Sequence, residues 1–188
     1  VNVYCCFDNE EVGSNTKQGA MSTFLKDVLH RINNGLHKTE EEYYQAIAKT
    51  FLVSCDNAHA LHPNHPEKTD AVNYVTMNGG IVIKESANQK YTTDAFSRAL
   101  FTGVCQNVNV PVQSFANRSD SVGGSTLGNL SNTQVSIHAV DFGLAQLAMH
   151  SCFETAGVKD TEYAIIALKE FYETNVQIDE AESVCLEK

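Results

Sequence analysis

The chain has 188 residues, enough for one ordinary domain with a full core, so it needs neither disulfides nor structural metals merely to fold. Hydrophobic residues make up 43% and charged residues 19%, which excludes an intrinsically disordered acidic protein. Thirteen Lys and Arg against 23 Asp and Glu give a formal charge of −10, which repels phosphate backbones and anionic lipid, so neither nucleic acid nor a membrane is an expected partner.

No stretch approaches the roughly 18 consecutive apolar residues of a membrane span. The opening Val1–Phe7 lacks a basic region and a cleavage site and is not read as a signal peptide. It reads instead as a strand, and a chain that opens inside a strand, without Met, is expected to be part of something longer. Cys5, Cys6, Cys55, Cys105, Cys152 and Cys185 include no C-x-x-C pair and are expected to be buried, reduced thiols of a cytosolic protein.

Beyond the first strand, Ala20, Phe24, Val28, Leu29 and Ile32 recur at helical spacing up to Asn33-Asn34-Gly35. Thr39 and Glu42 form a capping box that opens a second helix through Tyr43, Ile47 and Phe51. Phe51–Cys55 reads as a buried strand that leads into Asp56. Residues 57 to 70, with Pro63 and Pro66, are expected to be irregular. A strand at Ile81–Lys84, a helix near Asp94–Val104 and a strand at Val110–Phe115 follow. The small-residue loop Gly123–Gly128 is compatible both with a tight strand-to-helix turn and with backbone N–H groups offered to a ligand. A strand at Val135–Val140, partial helix over Leu147–Gly157 and an amphipathic helix over Glu162–Thr174 complete the order, with a frayed acidic tail after Asn175. Strands alternating with helices imply a layered α/β domain with a mostly parallel sheet, whose site lies at strand ends.

Glu10 and Glu11 after the first strand, Asp56 after the next, and His150 after a later strand and turn fall at such ends. Paired carboxylates there call for a cation nearby, although Glu10-Glu11 alone also reads as a solvated turn. His62 and His65, bracketed by prolines, read as loop packing, and Lys84 by itself reads as an ordinary strand-end lysine.

The run Asp8-Asn9-Glu10-Glu11-Val12-Gly13-Ser14 resembles the aspartyl aminopeptidases, the eighteenth metallopeptidase family, whose sites carry Asp-x-Glu-Glu-[Val/Ile]-Gly-Ser. The likeness continues in family order. Ser54 to Asn64, Ile83-Lys84 through Tyr91, Arg118-Ser119-Asp120 with Gly124 to Gly128, and Asp141-Phe142-Gly143 through Gln146 to Ser151 all carry it. The resemblance implies a three-layer α/β/α zinc-peptidase-like domain with a mostly parallel mixed sheet, incomplete at its N-terminal side. Residues 1–188 would be the C-terminal part of a metallo-aminopeptidase catalytic domain, with the dimerisation insert absent.

By position, the resemblance makes Glu10 the general base, Glu11 and His150 ligands of one metal, and Asp56 a ligand of a second. The ions would be zinc, with manganese or cobalt as substitutes. It assigns His59, Lys84 and Tyr91 to the substrate, with Lys84 pairing an acidic N-terminal side chain. The implied activity is release of N-terminal Asp or Glu from peptides by a cytoplasmic enzyme that is a homo-oligomer built from dimers. A related aminopeptidase with neutral specificity and a non-catalytic scaffold are the alternatives. The family's His-x-Asp and bridging Asp have no counterpart here, Asn129 replaces a frequent Pro, and Leu144-Ala145 stands where Pro often precedes Gln. The chain alone is therefore expected to be inactive and to hold at most a single ion at Glu11 and His150.

Overall fold

The computed structural model describes residues 1–179 and 183–187. Five α-helices and nine strands run in the order α1 (Phe24–Gly35), α2 (Glu40–Ala48), β1 (Phe51–Cys55), β2 (Ala58–His59), β3 (Ile81–Glu85), α3 (Ala95–Asn107), β4 (Val112–Ala116), α4 (Leu127–Ser131), β5 (His138–Gly143), β6 (Ala145–Leu147), β7 (Thr155–Ala156), α5 (Val158–Glu173), β8 (Asn175–Ile178) and β9 (Val184–Glu187) among the described residues, with one 3-10 turn at Pro66–Lys68 between β2 and β3. The central sheet has the order β1-β5-β3-β4, parallel except where β3 meets β5. It is the mixed, mostly parallel α/β sheet that the residue pattern implies.

Alternation along the strands builds two faces. Ile81, Ile83, Val140 and Phe142 point to one side, where Leu100, Phe101 and Val104 of α3 and Ala167 of α5 close the main core. Val82 points to the other, into a smaller cluster with Ala58, Ala60, Val75, Tyr91, Phe115 and Ala145. Lys84, two residues beyond Val82, lies on this second side, as the two-residue period requires. The capping boxes of α2 (Thr39 with Glu42) and α3 (Asp94 with Ser97) are both formed. No helix among the described residues is long and apolar enough to cross a membrane.

Asp160, in the first turn of α5, is fully buried. It accepts hydrogen bonds from the Asn78 N–H (2.6 Å) and the Gly80 N–H (2.9 Å), while the Lys159 N–H donates to Asn78 Oδ1 (3.0 Å). This clamp joins α5 to the turn that launches β3. Asn78 and Gly80 hold positive φ there, and a Cβ on Gly80 would lie 2.2 Å from the Pro111 carbonyl oxygen.

Four expectations need correction. Residues 1–7 form no strand; the segment lies beside α5, where Asn2 Nδ2 donates to the Tyr172 carbonyl and Tyr172 Oη to that of Val3. The stretch 147–157 is not helical but ends β6, turns, and returns as β7. The tail is not frayed over its described residues: β8 pairs antiparallel with β9, and Val176, Val184 and Leu186 pack on the main core. The six cysteines are free thiols, yet only Cys105 is buried, because Cys55 ends the edge strand β1 and Cys6, Cys152 and Cys185 also reach solvent.

Candidate functional site

Glu10 and Glu11 are presented by a tight turn. Asn9 takes a left-handed conformation (φ +71°), which asparagine tolerates better than most residues. Its carbonyl accepts the Gly13 N–H at 2.8 Å, and its amide reaches the Gly13 carbonyl and Thr16 Oγ1, both at 3.2 Å. His150 stands on another strained turn, with φ +67° and its N–H donating to Glu154 Oε1 at 2.6 Å. The two turns meet: His150 Nε2 lies 3.3 Å from Glu11 Oε2, with both side chains well exposed.

Asp56 follows β1, whose ladder with β5 continues through the Asp56 N–H to the Phe142 carbonyl at 2.8 Å. The approach at its C-terminal end is so close that a Cβ on Gly143 would lie 2.0 Å from the Asp56 carbonyl oxygen. Lys84 reaches the same point from the second side of the sheet. Its ammonium donates to Asp56 Oδ2 (3.1 Å), the Asp56 carbonyl (3.3 Å) and the Asn57 carbonyl (3.0 Å), and sits 4.9 Å from the Tyr91 ring centroid. Lys84 thus points all three of its donors at protein oxygens.

Electrostatics tie the two halves together. Glu10 is raised above the usual carboxylate range, first by burial, then by the negative charges of Asp56 and Glu11, with His150 acting in the opposite sense. His59 is lowered by desolvation and then by the positive charges of Lys84 and His150, with Asp56 opposing. Tyr91 is raised chiefly by burial, while the hydrogen bond from Asn117 Nδ2 to its hydroxyl (2.9 Å) acts the other way. Glu10, Glu11, Asp56, His59, Lys84, Tyr91 and His150 therefore occupy one neighbourhood, although 140 positions separate the first from the last.

Burial favours the protonated Glu10 in the fold. The stability this confers is present below the unfolded-state pKa and is lost as pH rises through the raised folded value. With a chelator present, Glu10→Gln should raise the melting temperature at pH 7 and change it little at pH 3; a lowered melting temperature at pH 7 would refute the burial cause.

Catalytic zinc sites use three protein ligands and an open position. Among the described residues, no group of three or more His, Cys, Asp or Glu side chains is arranged to hold a metal ion. Glu11 and His150 supply a carboxylate and an imidazole of the right chemistry in contact, while Asp56, the expected ligand of a second ion, is tied to Lys84. The residues fit part of a shell, not a closed one.

Several supporting residues carry no role in the sequence reading. Asp141, fully buried, accepts from the Thr92 N–H (2.6 Å) and Thr92 Oγ1 (2.8 Å) and so fixes the turn that bears Tyr91. Asn57 bridges to Gln146 Oε1 (2.6 Å) and accepts the Leu144 N–H (3.0 Å). A glycine at the end of a buried strand, as at Gly143, is itself a sign of close backbone approach. In the loop, Gly128 is held against Asp141 and Ser54, where a Cβ would lie 2.8 Å from Asp141 Oδ1. His62 and His65 stay in the exposed loop with ring centroids 5.2 Å apart.

Comparison with known proteins places these residues in context. The family model described as aminopeptidase I zinc metalloprotease (M18) matches residues 1–172. A probable M18 family aminopeptidase 2 of Clostridium novyi is 50% identical over 171 residues, covering 91% of this chain and 40% of its own length. Aspartyl aminopeptidase 1 of Schizosaccharomyces pombe is 42% identical over 180 residues, covering 96% of this chain and 38% of its own. The chain thus spans about two fifths of the length of these curated relatives. Among solved structures, a chain in the cryo-EM structure of the Ape4 and Nbr1 complex superposes with a TM-score of 0.84 at 43% identity, over 89% of this chain and 32% of that one. A chain of the Saccharomyces cerevisiae mApe1 dodecamer gives 0.75 at 28%, over 89% and 36%.

Proposed function

Because this chain belongs to the aminopeptidase I zinc metalloprotease (M18) family, we propose that the full-length protein removes N-terminal Asp or Glu from peptides, with residues 1–188 as the C-terminal part of its catalytic domain. The observation that carries this reading is the contact between Glu11 and His150, at 3.3 Å, with Glu10 beside them.

Glu11 and His150 would hold one zinc and Asp56 a second, with manganese or cobalt as workable substitutes. Bound zinc supplies an acidified water and polarises the scissile carbonyl. Glu10, the neighbouring carboxylate that is not a ligand, accepts the water proton and passes it to the nitrogen of the leaving amine. Its raised pKa suits the first transfer, because a carboxylate with a higher pKa is the stronger base toward the water proton. His59, Lys84 and Tyr91 line the position of the substrate's first side chain. There the fixed charge of Lys84 favours a carboxylate.

With only Glu11, Asp56 and His150 as donors, the 188-residue chain alone would be inactive. The dodecameric relative supports a homo-oligomer, in our reading one built from dimers through a segment outside this chain. The aspartyl aminopeptidase relative supports acidic specificity. We assign the protein to the cytoplasm, in keeping with its free thiols. Neutral specificity is the second reading, favoured by the engagement of all three Lys84 donors with Asp56 and Asn57.

Lys84→Met in the full-length protein separates the two. Turnover of an aspartyl-anilide should fall about 100-fold or more while a leucyl-anilide is spared, the scale of a lost charge-assisted hydrogen bond. An equal fall for both substrates would make Lys84 structural.

A further inference from the structure

Tyr91 is held firmly. It is only 5% exposed, and its ring lies against that of Phe115, with centroids 6.4 Å apart. The next residue, Thr92, is fixed to Asp141 by hydrogen bonds of 2.6 and 2.8 Å. The freedom that remains is rotation about the phenol C–O bond, which decides where the hydroxyl proton points. Asn117, the residue that follows β4, donates its Nδ2–H to Tyr91 Oη at 2.9 Å. An amide nitrogen can only donate, so the hydroxyl is the acceptor in this bond and its own proton is directed elsewhere. No acceptor among the described residues takes that proton. The Asn117 amide is itself braced by the small-residue loop, since a Cβ on Gly123 would lie 2.4 Å from Asn117 Nδ2. Just past the other end of that loop, Asn129 Nδ2 donates to the Gln89 carbonyl at 3.3 Å, two residues before Tyr91.

From this geometry we propose that Asn117 is a positioning residue for substrate recognition. By occupying one lone pair of the Tyr91 oxygen, it leaves the hydroxyl proton as a donor to the carboxylate of the substrate's first side chain. This rests on the proposed reading of Tyr91 as a substrate contact in an enzyme of acidic specificity. Asn117 acts through Tyr91 and touches no reacting atom. Hydrogen bonds to an ionised acceptor are about twice as strong as neutral ones, so a hydroxyl set to donate favours Asp and Glu over neutral residues. The loop Gly123–Gly128 serves here as a buttress that keeps the Asn117 amide turned to Tyr91.

The test is a double-mutant cycle in the full-length protein, read as the ratio of kcat/KM on an aspartyl-anilide to that on a leucyl-anilide. A general loss of structure lowers both terms and leaves the ratio where it was. Tyr91→Phe, which removes the hydroxyl, should lower the ratio about tenfold or more. Asn117→Asp keeps the size of the side chain but turns the donor into an acceptor, so it should take the Tyr91 proton and lower the ratio to a similar extent. In the Tyr91→Phe background the same substitution should cost at most about threefold, because only the added charge remains to be felt. Gly123→Ala displaces the amide while Asn117 and Tyr91 both stay in the chain, and it should lower the ratio about threefold or more. A parent-like ratio in Asn117→Asp, or an equal fall with and without the Tyr91 hydroxyl, overturns the positioning role. So does a loss of both substrates alike in Asn117→Asp or Gly123→Ala, which would make Asn117 structural. A ratio unmoved by Tyr91→Phe defeats the reading of Tyr91 as a substrate contact, and a parent enzyme without preference for the aspartyl-anilide defeats the acidic reading. The inference falls with either.

Discussion

Replacing Glu10 with Gln in the full-length protein should lower kcat on an aspartyl-anilide by about 10²- to 10⁴-fold, the range that a positioned general base contributes. KM should change little, because Gln keeps the size and the hydrogen-bonding reach of the side chain and loses only its basicity. The turn that carries Glu10 is held by the Asn9 amide and the Gly13 N–H, neither of which involves the Glu10 side chain, so the substitution leaves the frame intact. Burial together with Asp56 and Glu11 raises the Glu10 pKa, and those same neighbours place the group beside the Glu11–His150 contact. A variant that keeps full kcat would move the base elsewhere.

The largest effect on stability should come from Asp160→Ala. Its carboxylate is fully buried and accepts the Asn78 and Gly80 N–H groups, so truncation leaves the buried Gly80 donor and the partly buried Asn78 donor without their acceptor. Each bond to a charged acceptor is worth about 1.5–3 kcal/mol, and the negative charge also favours the N-terminus of α5. A loss of about 3–5 kcal/mol is expected in urea unfolding, a large part of the 5–15 kcal/mol typical of a domain. Asp160→Asn keeps one acceptor and should lose roughly half as much. A change below about 1 kcal/mol for Asp160→Ala would mean that the clamp between β3 and α5 is dispensable.

The legible parts of the fold were those whose signal is local. Thr39 with Glu42 marks a helix start whatever surrounds it, and Phe51–Cys55 and Ile81–Glu85 carry their strand character in β-branched and aromatic residues. Val1–Phe7 carries the same character, but a strand exists only through a neighbour's ladder, and here that neighbour is absent among the described residues. The stretch after Leu147 has helix-like apolar spacing, yet Ala148 and His150 take positive φ and turn the chain back. In the tail, Val176 and Ile178 alternate with polar residues at the period of two that a strand requires, a signal hidden beneath the acidic composition.

The candidate site divides along similar lines. It was the family resemblance that gave Glu10, Glu11, Asp56 and His150 their expected roles, since Glu10-Glu11 alone also reads as a solvated turn and residues 1–7 form no strand before it. Which partners they keep is tertiary. Nothing local in Ile81–Glu85 says that Lys84 bends onto Asp56 and Asn57, or that Asp141 steadies Tyr91 through Thr92 from the adjacent strand. Such contacts arise only when the sheet order β1-β5-β3 brings the three strands side by side.

The claim that Glu11 and His150 form one half of a catalytic zinc site is tested most directly by the zinc content of the purified full-length protein with His150→Ala, measured by mass spectrometry beside its turnover of an aspartyl-anilide. Our account predicts that the variant loses one zinc per chain relative to the parent and that its turnover falls at least about 100-fold, as removal of a metal ligand demands. Parent-level zinc with parent-level turnover would contradict it.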